Sequence, residues 1–135
     1  MKKATLWFAL LCTVVCLLCG TAFASEVWDG TAAMSFDGGS GTEDDPYLIS
    51  DGAQLAGISD NSYYQLTADI YLNDTTGWEN WTAENGPANV WTPLFSSNNF
   101  QGTLDGDGHT IYGLYIVKTN TQSVGLFGRT SGAEF

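Results

Sequence analysis

Beyond Glu26 the chain never sustains a helical period. Its apolar residues come in runs of a few, each cut by Gly, Asn, Asp, Ser or Thr. Such runs are too short to line one face of a long helix, whereas turn-forming residues at this density suit strands joined by tight turns. The sequence therefore predicts an all-β fold. In the most regular stretch, residues 64–72, Tyr64, Leu66, Ala68, Ile70 and Leu72 alternate with Gln65, Thr67, Asp69 and Tyr71. This predicts a single half-buried strand. One short helix is expected after Asp51, which can cap free backbone N–H groups while Gln54 stands at the third helical position. Leu55 and Ile58 would then share its inner face.

Residues 73–93 read as an irregular loop rich in tryptophan, with a strand starting no earlier than Val90-Trp91. From Phe100 the pattern becomes short apolar pieces punctuated by glycine. Leu114 and Ile116 are expected on one face, with Ile111 out of phase, and the intervening Gly113 suits a bulge or corner. Gly113-Leu114 recurs as Gly125-Leu126, as short coils of a repeating β-structure would give.

The N-terminus has a different character. Lys2 and Lys3 precede an uncharged apolar run, residues 6–18, and Ala22-Phe23-Ala24 offers the small residues a signal peptidase accepts. Residues 1–24 are read as a signal peptide, cleaved after Ala24. The run is shorter than the roughly 20 apolar residues that span a bilayer, so no membrane span is expected after cleavage. Cys12, Cys16 and Cys19 all lie inside this leader, leaving no cysteine for a disulfide framework or a thiol nucleophile. Lipidation of Cys19 is disfavoured by the bulky Leu18 before it. The sequence thus points to a secreted or cell-surface protein.

Charge narrows the partners. Past Ala24 only Lys118 and Arg129 are basic, against 15 acidic residues, a net charge of 2 − 15 = −13. Such a surface repels phosphate backbones and anionic lipid, so nucleic acid is excluded as a partner.

Several pieces, taken in order, resemble the opening of bacterial surface proteins that carry GLUG motifs. The defining quartet is Gly125-Leu126-Phe127-Gly128. Before it come Phe100-Gln101-Gly102-Thr103-Leu104-Asp105-Gly106 and Thr110-Ile111-Tyr112-Gly113-Leu114, and further upstream Trp28-Asp29-Gly30, Gly39-Ser40-Gly41-Thr42, Asp45-Pro46-Tyr47, Ile49, Gln54-Leu55 and Asp69-Ile70. The resemblance implies an incomplete parallel β-helix or solenoid. Residues 25–60 would cap it, and residues 61–135 would form its first rungs, including one GLUG motif and truncated before any closing cap. Solenoid coils bury their apolar faces only against neighbours. Further repeats, or self-association through the open end, are therefore expected as partners, along with surface glycans or proteins of a host or neighbouring cell.

Catalytic chemistry finds little support in these residues. His109 is the only histidine, whereas a zinc peptidase of the H-E-x-x-H kind needs two. It is read as a turn residue. Asp105 and Asp107 flank Gly106 and read as turn carboxylates, although polysaccharide-cutting β-helix enzymes use carboxylates on neighbouring strands. Glu43-Asp44-Asp45 lacks the spacing of a calcium loop. No cofactor, metal site or catalytic residue is assigned. The expected role is a non-catalytic structural or adhesive module. The alternatives are a carbohydrate-binding module, using Trp78 and Trp81 as stacking faces, or the start of a polysaccharide-degrading β-helix enzyme. Trp91 is expected in the core. The formal glycosylation sequons at Asn73 and Asn80 are discounted, because the leader looks bacterial.

Overall fold

A computed structural model describes residues 26–117 and 122–135. Residues 1–24, read above as a signal peptide, and the three cysteines among them lie outside the described residues. The fold is all-β with little helix. In chain order the elements are β1 (Tyr47–Ile49), α1 (Gly52–Ala56), β2 (Tyr63–Leu66), β3 (Ile70–Tyr71), a 3-10 helix (Trp78–Asn80), β4 (Thr103–Asp105) and β5 (Ile111–Tyr112). One sheet has the order β1-β2-β4 and the other pairs β3 with β5.

Every strand pair is parallel. Tyr47 lies beside Tyr64 and Tyr64 beside Leu104, while Ile70 lies beside Ile111 and Tyr71 beside Tyr112. Single parallel bridges extend the pattern, joining Val27 to Tyr71, Leu94 to Phe127, Phe100 to Thr130 and Thr103 to Glu134. Parallel neighbours cannot be joined by a tight hairpin, so each pass must return by a longer crossover. Here α1 makes the return between β1 and β2, and irregular chain makes the return between β2 and β4.

The single strand expected over residues 64–72 is in fact two. Thr67 donates both its N–H (2.8 Å) and its hydroxyl (3.2 Å) to the Ile49 carbonyl, ending the pairing of β2. Two residues later Asp69 accepts from the Thr110 N–H at 2.9 Å, and Ile70 donates to the Thr110 carbonyl at 2.9 Å. The chain has turned a corner and changed neighbours. The alternation survives the corner, since Tyr64, Leu66, Ile70 and Leu72 are all buried. The period reported which side chains point inward, not where the hydrogen-bonding partner changes.

Helix α1 begins as expected: the Gln54 N–H donates to the Asp51 carboxylate at 2.8 Å. The return arm of the box is displaced by one residue. Gln54 Oε1 accepts from the Ser50 N–H at 2.7 Å, and its Nε2 donates to Asp37 at 2.6 Å. Gln54 is therefore buried with its polar atoms satisfied, and Leu55 and Ile58 beside it are buried in the core.

That core is rich in aromatic rings. Tyr47 stacks on Phe36 at 4.7 Å, Tyr64 lies 5.7 Å from Tyr47, and Phe100 lies 6.4 Å from Tyr64 and 4.4 Å from Phe127 at an interplanar angle of 7°. Trp91 is 2% exposed, in the core as the sequence indicated. It forms no strand with Val90, although its N–H donates to the Tyr115 carbonyl at 2.7 Å.

Leu114 and Ile116 do not share the face expected of them. Ile111 and Ile116 pack against the core, while Leu114 is 40% exposed. Gly113, with φ of +71°, lies in the left-handed region, and β5 ends before it, so no strand alternation governs the residues that follow. A Cβ here would lie 2.6 Å from the Asn73 carbonyl oxygen, so two stretches of backbone meet where only glycine fits.

Candidate functional site

The left-handed turn at Gly113 shapes the surface around it. Tyr112, Gly113 and Leu114 form one wall of an open groove of about 370 Å³, and Thr75, Trp78 and Trp81 from the loop after β3 form the other. Tyr112 is itself stacked on Tyr71 at 4.7 Å and 16°, as in-register parallel pairing of like residues dictates.

The loop is held by local turn chemistry. The Asp74 carboxylate accepts from the Thr76 N–H at 2.9 Å, and hydrogen bonds from Thr76 hold that carboxyl below the usual range. Gly77, with φ of +71°, leads into the 3-10 helix. Trp78 sits on its outer side, 60% exposed, whereas Trp81 is half-buried with its ring edge-on to Tyr115 at 5.7 Å. The Tyr115 hydroxyl donates to the Thr82 carbonyl at 2.5 Å. Thr82 and Asn85 close a small turn on each other, at 3.2 and 3.0 Å. Gly86 lies against the Tyr115 ring so closely that a Cβ would fall 2.1 Å from it. The two tryptophans named from sequence thus share one groove but differ in role: Trp78 presents a face to solvent, and Trp81 is an anchor.

Beneath the groove lies a pair of asparagines, of which the sequence singled out only Asn73, as a discounted glycosylation sequon. Asn73, 2% exposed, donates from Nδ2 to the carbonyls of Asn89 (2.8 Å) and Gly113 (2.9 Å). Its Oδ1 accepts from the Asn89 N–H at 2.9 Å. Asn89 in turn donates from Nδ2 to the carbonyls of Trp28 and Leu72. A buried Asn73 with its amide committed in this way is closed to glycosylation, whereas Asn80 is exposed.

The remaining polar candidates lie at a strand end or in turns and loops. Asp105 accepts from the Asp107 N–H at 2.9 Å. The His109 N–H donates to the Gly106 carbonyl at 2.7 Å, and its Nδ1 lies 3.4 Å from Asp69. Near Glu43-Asp44-Asp45 the Asp45 carbonyl accepts from the N–H groups of Ser40, Gly41 and Thr42, folding the acidic stretch into an exposed loop. Among the described residues no three His, Cys, Asp or Glu side chains converge as metal ligands.

The quartet Gly125-Leu126-Phe127-Gly128 forms no strand of its own, yet it is well tied down. The Leu126 carbonyl accepts from the Leu94 N–H and from the Trp91 indole, both at 3.0 Å, and the Gly128 N–H donates to the Leu94 carbonyl at 2.6 Å. Leu126 and Phe127 both pack against the core. Tyr112, Leu114 and Thr75 were not read as groove residues. For Leu114 the signal was its out-of-phase spacing from the inward-packed Ile111.

No protein-family model matches the chain, and no solved structure matches it. Two curated proteins are similar over most of its length. Halomucin from Haloquadratum walsbyi is 37% identical over 110 residues, covering 78% of this chain and 1% of that protein. A protein described as a Gly-rich membrane protein, from Evansella cellulosilytica, is 35% identical over 98 residues, covering 69% of this chain and 10% of that protein. The chain therefore spans a tenth or less of the length of these relatives.

Proposed function

We propose that the chain is an exported, non-catalytic structural and interaction module: the capping start of a surface β-solenoid of the GLUG-bearing kind, suited to adhesion. The observation that carries this reading is the order of parallel pairing. Segments at Tyr47–Ile49, Tyr63–Leu66, Thr103–Asp105 and finally Glu134 lie side by side in chain order, each parallel to the last. Winding one chain around an axis produces that order, and like residues then stack in columns such as Tyr71 on Tyr112. The inward packing of Leu126 and Phe127 fits a motif whose apolar pair faces the interior.

Export rests on the leader-like residues 1–24, and a surface setting accords with the names of the two relatives, one a mucin by name and one a membrane protein. The test is to probe intact source cells with antibody raised against residues 26–135, before and after external protease. Signal on intact cells that protease removes is the expected result. Signal only after lysis, or cleavage of a polysaccharide by purified residues 25–135, overturns the proposal.

A further inference from the structure

We infer that the groove between Trp78 and Tyr112 binds a pyranose ring of an uncharged glycan. A sugar ring has an apolar C–H face and an edge of hydroxyl groups. Its binding site therefore needs a flat apolar surface beside hydrogen-bond acceptors. Both are present. Trp78 is 60% exposed and Leu114 40%, a cost in hydration that a monomeric surface seldom concentrates at one place. Among the described residues no charged side chain lines the groove. The lining includes the hydroxyl-bearing Thr75 and Tyr112, and the exposed Asp74 and Glu79 are next in sequence to Thr75 and Trp78.

Charge selects among ligands. With 15 carboxylates against two basic residues beyond the leader, the surface disfavours sialylated, sulfated or uronic glycans and attracts donors of hydroxyl protons instead. The groove is also pre-organised. Its loop is pinned through Trp81, Thr82 and Gly86 to Tyr115, and its floor through Asn73 to Gly113, so little ordering remains to be done on binding.

This inference is independent of whether the parallel coils continue, so it stands or falls apart from the surface-module reading. The test applies the purified chain to an array of neutral and anionic oligosaccharides and repeats the hits in solution by titration calorimetry. Trp78→Ala and Leu114→Ala are the groove variants, Met34→Ala is the control on a fully exposed side chain, and circular dichroism checks each fold. Binding to neutral oligosaccharides, weakened roughly tenfold by Trp78→Ala and unchanged by Met34→Ala, is expected. Absence of neutral hits, preference for anionic glycans, or hits that neither groove variant weakens overturns the inference. If Trp78→Ala fails to fold, Leu114→Ala decides alone.

Discussion

Asn73 and Asn89 hydrogen-bond each other in both directions, the Asn73 amide donating to the Asn89 carbonyl at 2.8 Å and its Oδ1 accepting from the Asn89 N–H at 2.9 Å. Through the same two side chains, the backbone at Trp28, Leu72 and Gly113 is joined into one network. These three points belong to successive passes of the chain, so the pair acts as a clasp where no ladder is continuous. Asn73→Ala removes the donors to two carbonyls and the acceptor for an N–H. Each buried polar group left unpaired costs on the order of 1–3 kcal/mol. Urea unfolding should show a loss of about 3 kcal/mol or more, and Asn73→Asp should be worse at neutral pH, because its carboxylate would face two carbonyl oxygens. An unchanged midpoint for both variants would mean that water replaces the clasp.

The clasp also shows what the sequence could and could not disclose. Two asparagines in a loop rich in polar residues look like any turn residues. Their value arises only when chain separated by 16 and 40 positions is brought together, and no local pattern encodes that. The inward set Tyr64, Leu66, Ile70 and Leu72 was legible because alternation is local, as was the Asp51 cap. The corner at Thr67 was not, since it is fixed by the Ile49 carbonyl on another pass. Trp78 and Trp81 were legible as a pair of aromatic candidates, but the roles that separate them depend on Tyr115 across the fold.

Gly113 makes a direct test of phase possible. Leu114 is 40% exposed and Ile111 packs against the core, the opposite faces that their out-of-phase spacing indicated. Leu114→Ser should therefore change stability by no more than about 0.5 kcal/mol, as surface changes do. Ile111→Ser should cost more than about 1 kcal/mol, through lost burial and a hydroxyl placed against apolar neighbours. Thermal melts of the two variants side by side would reveal an exchanged phase as an exchanged order of melting temperatures.

The Phe100 and Phe127 rings, stacked 4.4 Å apart and nearly parallel, link the apolar quartet to the rest of the core. Phe100 is fully buried, so Phe100→Ala should cost about 3–5 kcal/mol, enough to unfold a domain of this size. Phe127 is only half-buried, and Phe127→Ala should cost less. Phe127→Leu keeps much of the volume while losing the stacked face. Chemical denaturation should rank the three as Phe100→Ala, Phe127→Ala, Phe127→Leu in decreasing damage, and a different order would place the centre of the core elsewhere.

Asp37 couples the loop before β1 to the start of α1, and the coupling is sensitive to acid. Its carboxylate accepts from the Ser50 hydroxyl at 2.5 Å and from Gln54 Nε2 at 2.6 Å, and these bonds, Ser50 first, hold its pKa below the ordinary value. A carboxyl with a depressed folded-state pKa binds its proton more readily when unfolded. It therefore adds stability that is fully present above the unfolded value of about 3.9 and is lost as pH falls through the lower folded value. General relief of repulsion among the many carboxylates acts in the opposite direction over the same range, so the wild-type melting curve alone is ambiguous. Comparison with Asp37→Asn isolates the one group. The variant should melt lower than wild type at pH 5–7, and the gap should shrink steadily below about pH 4. A gap that stayed constant down to pH 2 would show that Asp37 contributes through packing and neutral hydrogen bonds, not through its charge.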